Sequence, residues 1–162
     1  MALEIERKFL IHGLEWKSAA TSCSFLRQGF ISIGPEGVVR VRLIDDQGVL
    51  TIKGPARGTV RAEYEYEIPA RDAAQMLEEL CQRPLIEKTR YRVSFGGRLW
   101  EVDIFAGENE GLCVAEVELE EEGQQIELPP WVGSEVTGDP RYYNSSLVRN
   151  PFSRWRSEKT DR

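Results

Sequence analysis

The stretch Leu3-Glu4-Ile5-Glu6-Arg7-Lys8-Phe9-Leu10 has the alternation of charged and apolar residues that is typical of a β-strand. Because side chains point alternately to opposite faces of a strand, Glu4, Glu6 and Lys8 share one face. Two carboxylates on one face can hold a divalent cation between them, and the lysine can meet an anion that the cation brings. A half-buried strand with a solvated face would look similar, and this stretch alone favours that simpler interpretation.

Repetition of the pattern changes this interpretation. The pattern of charged residues on one strand face recurs in six later segments, which are 38–44, 49–54, 61–68, 86–93, 99–105 and 114–120, although 49–54 contributes only Lys53. In chain order these segments are basic, basic, acidic, basic, acidic and acidic. Solvent-facing sides of sheets usually mix charges with Ser, Thr and Gln. An almost purely ionic face that is sorted by sign therefore indicates a different environment from solvent.

A closed barrel accounts for this sorting, because closure turns the ionic face inward and leaves the apolar face to be covered by helices. Buried charges must be paired or bound to a ligand, and a lumen with both signs permits both. With a further strand at 24–32, we predict an α+β fold: an eight-stranded antiparallel β-barrel with a charged lumen and helices outside. The alternative is an open amphipathic sheet with salt bridges on its solvated face.

Composition limits the classes of protein and partner. The 162 residues fit a single domain, which we place at 1–150, with 151–162 as a flexible tail. The net charge of −6 argues against general nucleic-acid binding, although positive charge concentrated in a channel can still bind a small polyanion. No apolar run approaches the ~20 residues that span a membrane, and no signal peptide is evident. We expect no nucleic-acid or membrane partner.

The three cysteines, Cys23, Cys81 and Cys113, are odd in number and widely spaced. This argues against a disulfide framework or a zinc site and favours the cytoplasm as the location of the protein.

Two helices are predicted from the sequence. Apolar residues at helical spacing predict a helix over 71–82, and a second helix is predicted over 141–149.

Short motifs follow one another in a fixed order along the chain. They are Glu4-x-Glu6-x-Lys8, Arg27-Gln28-Gly29-Phe30, Arg40-x-Arg42, Thr51-Ile52-Lys53, Arg61-x-Glu63-x-Glu65, Lys88-Thr89-Arg90-Tyr91, Asp103-x-Phe105-x-Gly107, Glu116-x-Glu118, Glu135-Val136-Thr137-Gly138-Asp139 and Tyr143-Asn144. The ordered set resembles the signature of the CYTH family, the triphosphate tunnel metalloenzymes. The resemblance covers nearly the whole chain and implies a tunnel that binds a triphosphate together with metal ions.

The resemblance implies three groups of site residues. The expected metal ligands are all carboxylates, which select the hard cations Mg²⁺ or Mn²⁺, and their number allows one or two ions. These candidates are Glu4, Glu6, Asp103, Glu116 and Glu118. The expected phosphate-binding residues are Lys8, Arg40, Arg42, Lys53, Lys88 and Arg90. The expected catalytic residues are Lys8, Arg42, Glu63 and Glu65; the two glutamates either orient water or form salt bridges, and both roles stay open.

The resemblance also implies an activity. We expect a metal-dependent hydrolase that removes the terminal phosphate of inorganic triphosphate or a related small molecule. The alternatives are a class IV type adenylate cyclase, which makes cyclic AMP and pyrophosphate from ATP, and a non-catalytic binder of polyphosphates or nucleotides. The sequence is also compatible with a homodimer. One departure concerns mechanism: Phe30 stands where related sequences often have tyrosine, so this chain lacks that hydroxyl.

Overall fold

The computed structural model describes residues 3–155, in which nine β-strands form one antiparallel sheet. The strands are β1 (Leu3–Ile11), β2 (Ala20–Gly34), β3 (Gly37–Ile44), β4 (Gln47–Lys53), β5 (Val60–Ile68), β6 (Ile86–Phe95), β7 (Arg98–Phe105), β8 (Cys113–Glu118) and β9 (Val132–Glu135). The α-helices are α1 (Glu15–Ser18), α2 (Ala70–Glu79) and α3 (Asn144–Arg149). None of these helices is long and apolar enough to cross a membrane.

Eight of the strands close into a barrel, as predicted. The order in the sheet is β5-β4-β3-β2-β6-β7-β8-β1-β9, and β1 also pairs with β5. The first part of β1 closes the barrel, with Glu4 opposite Arg61 on β5, whereas its later part pairs with β8, with Lys8 opposite Glu116. The short strand β9, which the sequence did not predict, adds to β1 outside the closed ring.

Cross-strand register brings the charged positions of neighbouring strands to the same levels of the barrel. Arg90 lies opposite Asp103, and Lys53 lies opposite Glu63. The predicted alternation therefore places opposite charges side by side on the inner face. Several strand boundaries differ from the prediction by a few residues: β2 is longer at both ends, and β8 ends at Glu118, so that Glu120 lies beyond it.

The outer face of the barrel is covered by three apolar clusters. Helix α2 packs Ala73 and Leu77 over β3 and β4, close to the predicted position of this helix. A second cluster joins Trp16 and Trp131 to β7 and β8, and a third holds Leu147 of α3. The prediction that helices cover this face is incomplete, because Ile52, Tyr64 and Tyr66 on β4 and β5 remain exposed.

The chain after α3 packs against the third cluster. Trp155 is buried, and its ring meets Tyr142 edge-on with centroids 5.1 Å apart. The Trp155 indole also donates a hydrogen bond to the Asn150 carbonyl. The packed part of the chain thus continues to residue 155, beyond the predicted boundary at 150. Residues 156–162 of the predicted tail lie outside the described residues.

Trp100 offers a test of the second cluster. It is fully buried and contacts Phe9 and Trp131, with ring centroids 5.7 and 5.8 Å away. We expect Trp100→Ala to lower the free energy of unfolding by about 3–5 kcal/mol, because it removes a large buried side chain and leaves a cavity. The matched control is Leu99→Ala, since Leu99 is 51% exposed. Urea unfolding of both variants measures the difference, and equal losses would contradict the described packing.

A charged cavity as the candidate active site

The barrel encloses a cavity of about 320 Å³ whose wall is mostly ionic. Seven acidic residues line it: Glu4, Glu6, Glu63, Glu65, Glu101, Glu116 and Glu118. Eight basic residues face them: Lys8, Arg40, Arg42, Lys53, Arg61, Lys88, Arg90 and Arg92. The structure thus brings all the predicted site residues to this cavity except Asp103, which lies behind its wall.

Glu4 and Glu63 share one lysine. The Lys53 ammonium lies 2.9 Å from Glu4 Oε1 and 3.3 Å from Glu63 Oε2. Burial opposes ionisation of Glu4, but the charge of Lys53 and the hydrogen bonds with Glu63 and Lys53 together outweigh it and lower the pKa of this carboxyl. Burial, together with a hydrogen bond to Glu4, raises the pKa of Glu63 to about 7. One lysine therefore leaves this carboxylate pair only partly neutralised.

Glu6 is the acid with the least compensation. It pairs across the sheet with Glu118, and no cation of residues 3–155 forms an ion pair with it. Burial, followed by the charges of Glu116 and Glu4, raises the pKa of Glu6 to about 8. Glu118, at the exposed edge of the cavity, also has a raised pKa because of partial burial and its acidic neighbours. A divalent cation would relieve this repulsion.

The geometry of these acids fits a metal ion only in part. Glu4, Glu6, Glu116 and Glu118 line one side of the cavity from two adjacent strands, as a hard cation requires. Within residues 3–155, however, no three acidic, histidine or cysteine side chains are arranged around a common point. The reason is that Glu4 turns to Lys53, and Glu116 turns to Lys8 at 3.4 Å. A bound cation would have to displace these lysines.

Asp103 is placed differently from the prediction. Its two oxygens accept hydrogen bonds from Arg90 at 2.7 and 2.9 Å, and the Lys88 ammonium lies 2.7 Å away. Although burial opposes ionisation, the Arg90 and Lys88 charges lower the pKa of Asp103 to about 2. Both oxygens are engaged and only 1% of the residue is exposed, so Asp103 anchors two cations.

Arg40 and Arg42 are buried cations of the cavity with little neutralisation by acids. Arg42 forms no ion pair with any acid of the described residues, and its Nε donates to Gln28 Oε1 at 2.7 Å. Arg40 approaches Glu65 only to 3.8 Å, and its Nε has no hydrogen-bond partner in the described structure. Burial, followed by the repulsion of Arg40, holds the pKa of Arg42 well below its usual value. These guanidinium groups are oriented for an incoming anion.

Residues of the segment 136–145 form part of the cavity wall. The Lys8 ammonium donates to the Tyr142 carbonyl at 3.3 Å, and Asn144 accepts from Gln28 and Lys88. Phe30 also lines the cavity, and its apolar ring offers no hydroxyl group there.

Several lining residues are absent from the predicted site. Arg61, Arg92 and Glu101 share the strand faces of predicted residues, so the alternation itself contained the signal. The lining residue Asn144 and the buried residues Gln28 and Thr51, which bond to lining residues, are uncharged, and the sorting of signs gave no reason to select them. Thr51 nevertheless links two predicted residues, since its hydroxyl lies 3.3 Å from Arg40 Nη2 and 3.2 Å from Glu65 Oε2.

Comparison with known families agrees with this architecture. The model of the CYTH domain matches residues 2–146. The chain belongs to the CYTH family. A protein of Acetivibrio thermocellus named inorganic triphosphatase is 51% identical to it over 156 residues, which cover 96% of this chain and 99% of the relative. An inorganic triphosphatase of Nitrosomonas europaea is 36% identical over 149 residues, covering 90% and 96% of the two chains.

Solved structures of CYTH proteins have the same fold. The crystal structure of an inorganic triphosphatase superposes with a TM-score of 0.62 at 32% identity and covers 91% of this chain and 95% of that one. A Hippeastrum protein, described as a candidate adenylyl cyclase with dominant triphosphatase activity, has a TM-score of 0.56 at 15% identity. It covers 73% of this chain and 80% of that chain, and at this identity it supports the fold alone.

Asp103→Asn tests the anchoring role of this carboxylate. We expect it to lower the free energy of unfolding at neutral pH by about 3–5 kcal/mol, because Arg90 and Lys88 lose a buried counter-charge. Since the pKa of Asp103 is about 2 when folded and about 3.9 when unfolded, its contribution is full above the unfolded value. The contribution is then lost as the pH falls towards 2.

Urea unfolding between pH 2 and 7 measures this effect. The difference between wild type and Asp103→Asn should be constant above about pH 5 and shrink below about pH 4. Glu67→Gln is the control, because Glu67 is exposed and contacts only Gln47 at 3.1 Å. A loss no larger than that of the control would show that Asp103 is not the anchor.

Proposed function

We propose that this protein is a metal-dependent triphosphatase that hydrolyses the terminal phosphoanhydride bond of inorganic triphosphate or a closely related small molecule. One observation carries the proposal. The same enclosed cavity holds Arg40 and Arg42, which have too little negative charge around them, and Glu6, which has too little positive charge around it. A linear polyphosphate with its metal ion supplies the negative and the positive charge together. The names of the relatives from Acetivibrio thermocellus and Nitrosomonas europaea support this substrate.

The phosphate chain would bind along the basic wall. Arginine presents a planar fork that can bind two phosphate oxygens, whereas lysine presents a compact charge to phosphate oxygens. The binding residues in this proposal are Lys8, Arg40, Arg42, Lys53, Lys88 and Arg90. Because burial lowers the pKa of Lys88 to about 7, an entering polyanion would also favour its charged form.

The carboxylates Glu4, Glu6, Glu116 and Glu118 would hold one or two ions of Mg²⁺ or Mn²⁺. Oxygen-only ligands suit these hard cations, and Mg²⁺ commonly completes its shell with substrate phosphates. When bound, such an ion supplies charge neutralisation at the phosphate oxygens. Asp103 is left out of this set because Arg90 and Lys88 occupy both of its oxygens.

Hydrolysis requires a positioned water and a stabilised leaving group. Water attacks the terminal phosphorus as the bond to the bridging oxygen breaks, so that inorganic triphosphate would give orthophosphate and pyrophosphate. With a pKa of about 7, Glu63 can accept the proton of the attacking water near neutral pH. Glu65, held through Thr51, can orient the same water. Arg42 and Lys8 would stabilise the charge that develops on the transferred phosphoryl group.

An adenylate cyclase would need space and contacts for adenine beside the triphosphate. The wall described above is dominated by ionic side chains, and its apolar members, such as Leu26, Phe30 and Ile44, are dispersed among them. The geometry therefore favours a hydrolase over a cyclase.

Cytoplasmic location fits the three cysteines, each of which is a free thiol in the described structure.

Substitutions in the two walls test the proposed roles. We expect Glu4→Gln and Glu116→Gln to abolish metal-dependent turnover, because each removes a charge from the proposed metal site. Arg42→Ala should raise KM and lower kcat, because its contacts serve both binding and the transition state. Release of phosphate from inorganic triphosphate with Mg²⁺ or Mn²⁺ measures these effects, with ATP in parallel and Glu67→Gln as the control.

The products decide between the alternatives. Phosphate released mainly from inorganic triphosphate supports the proposal, whereas cyclic AMP and pyrophosphate from ATP would identify a cyclase. Binding without any product would identify a non-catalytic binder. Wild-type turnover in Glu4→Gln at the same metal concentration would remove Glu4 from the site.

The raised pKa of Glu6 predicts that metal binding depends on pH. At pH 6 this carboxyl group is largely protonated, because its pKa is about 8. Since a metal binds the deprotonated form, the affinity for Mn²⁺ should rise by up to about tenfold per pH unit for each proton displaced. Calorimetric titration with Mn²⁺ between pH 6 and 8.5 should also detect proton release. Glu6→Gln should reduce both effects, and an affinity independent of pH would contradict the prediction.

A further inference from the structure

A row of four polar side chains lies at the cavity wall, and two of them are neutral amides. Arg42 Nε donates to Gln28 Oε1 at 2.7 Å, and Gln28 Nε2 donates to Asn144 Oδ1 at 2.7 Å. The Lys88 ammonium donates to the same Asn144 oxygen at 2.8 Å. Gln28 is fully buried and Lys88 is 1% exposed, whereas Asn144 is half-buried and lines the cavity. We name this row the amide relay.

The orientation of both amides follows from the cations at the two ends. Arginine and lysine side chains are donors only, so each must meet a carbonyl oxygen of the neighbouring amide. Gln28 therefore turns its oxygen to Arg42 and its NH₂ group to Asn144. Asn144 must then use its single oxygen for both Gln28 and Lys88. The direction of every hydrogen bond is determined by these requirements.

The neutrality of the relay has an electrostatic consequence. Asp103 anchors Arg90 and Lys88 by neutralising charge, whereas Gln28 anchors Arg42 without doing so. The single bond from Nε leaves both terminal nitrogens of Arg42 for other acceptors, and this residue has no ion pair within residues 3–155. A carboxylate in place of either amide would keep an acceptor but would cancel part of the positive charge.

We infer that Gln28 and Asn144 are positioning residues for the phosphate-binding cations. They hold Arg42 and Lys88 at the cavity wall, and their neutrality preserves the charge that binds the polyphosphate. The inference rests on the proposed function for its substrate class. It means that the affinity for the polyphosphate depends on the amide relay as well as on the charged residues.

Two pairs of variants separate geometry from charge. Gln28→Met removes the acceptor of Arg42 at similar size, whereas Gln28→Glu keeps an acceptor and adds a negative charge. Asn144→Leu and Asn144→Asp make the same comparison at the other amide. The control is Asn109→Ala, because Asn109 is an equally buried amide, lies outside the cavity lining and accepts a hydrogen bond from the Phe152 backbone.

Binding of inorganic triphosphate is measured by calorimetry in EDTA, where no metal contributes and no metal-dependent turnover occurs. Thermal unfolding and the KM and kcat for phosphate release with Mn²⁺ are measured alongside. We expect all four relay variants to raise Kd and KM by roughly tenfold to a hundredfold, as for a lost hydrogen bond to a charged group. The carboxylate variants should weaken binding at least as much as the apolar ones, although they unfold at higher temperature.

Asn109→Ala should lower the unfolding temperature and leave Kd and KM close to the wild-type values. If the relay variants behave like this control, Gln28 and Asn144 have only a structural role and the inference is overturned. If Gln28→Glu binds triphosphate as tightly as wild type, the charge argument fails and the inference fails with it. Wild type that binds triphosphate but does not hydrolyse it refutes the proposed function while the relay is still tested by Kd. Wild type that neither binds triphosphate in EDTA nor releases phosphate from it with Mn²⁺ overturns both.

Discussion

The structure depends on enclosing fifteen charged side chains in one barrel. Charges removed from water are costly unless they are paired, and most of these residues form ion pairs between strands, as Arg90 does with Asp103. The pairing is incomplete, because neither Arg42 nor Glu6 forms an ion pair within residues 3–155. Since both are held in place by the closed sheet, the protein by itself retains a deficit of each sign that a metal–polyphosphate complex can fill.

Two ways of holding a cation lie side by side in this cavity. The Asp103 carboxylate holds Arg90 and Lys88 in place, but its negative charge cancels part of their positive charge. The neutral amide oxygen of Gln28 holds Arg42 in place and leaves its positive charge uncancelled. The combination gives a wall that is ordered before the substrate arrives and still attracts it, as preorganised electrostatic sites require.

The barrel and most of the cavity lining could be predicted from the sequence, because strand alternation turns every second residue inward. The positions of Glu4, Glu6, Lys8 and Arg90 follow directly from that rule. The part played by Asp103 could not be predicted, since alternation places a carboxylate inside without showing whether a metal or Arg90 will occupy it. The contribution of Asn144 was also not predictable, because it depends on how the segment after β9 folds across the barrel end.

The most direct test of this account is whether the two deficits of charge are filled together. Thermal unfolding would be followed with Mn²⁺ alone, with inorganic triphosphate alone, and with both at the same concentrations. Because each ligand supplies the charge that the other lacks, the account predicts that the two together raise the unfolding temperature by more than the sum of their separate effects. After correction for Mn²⁺–triphosphate association in solution, a shift equal to or smaller than that sum would contradict it.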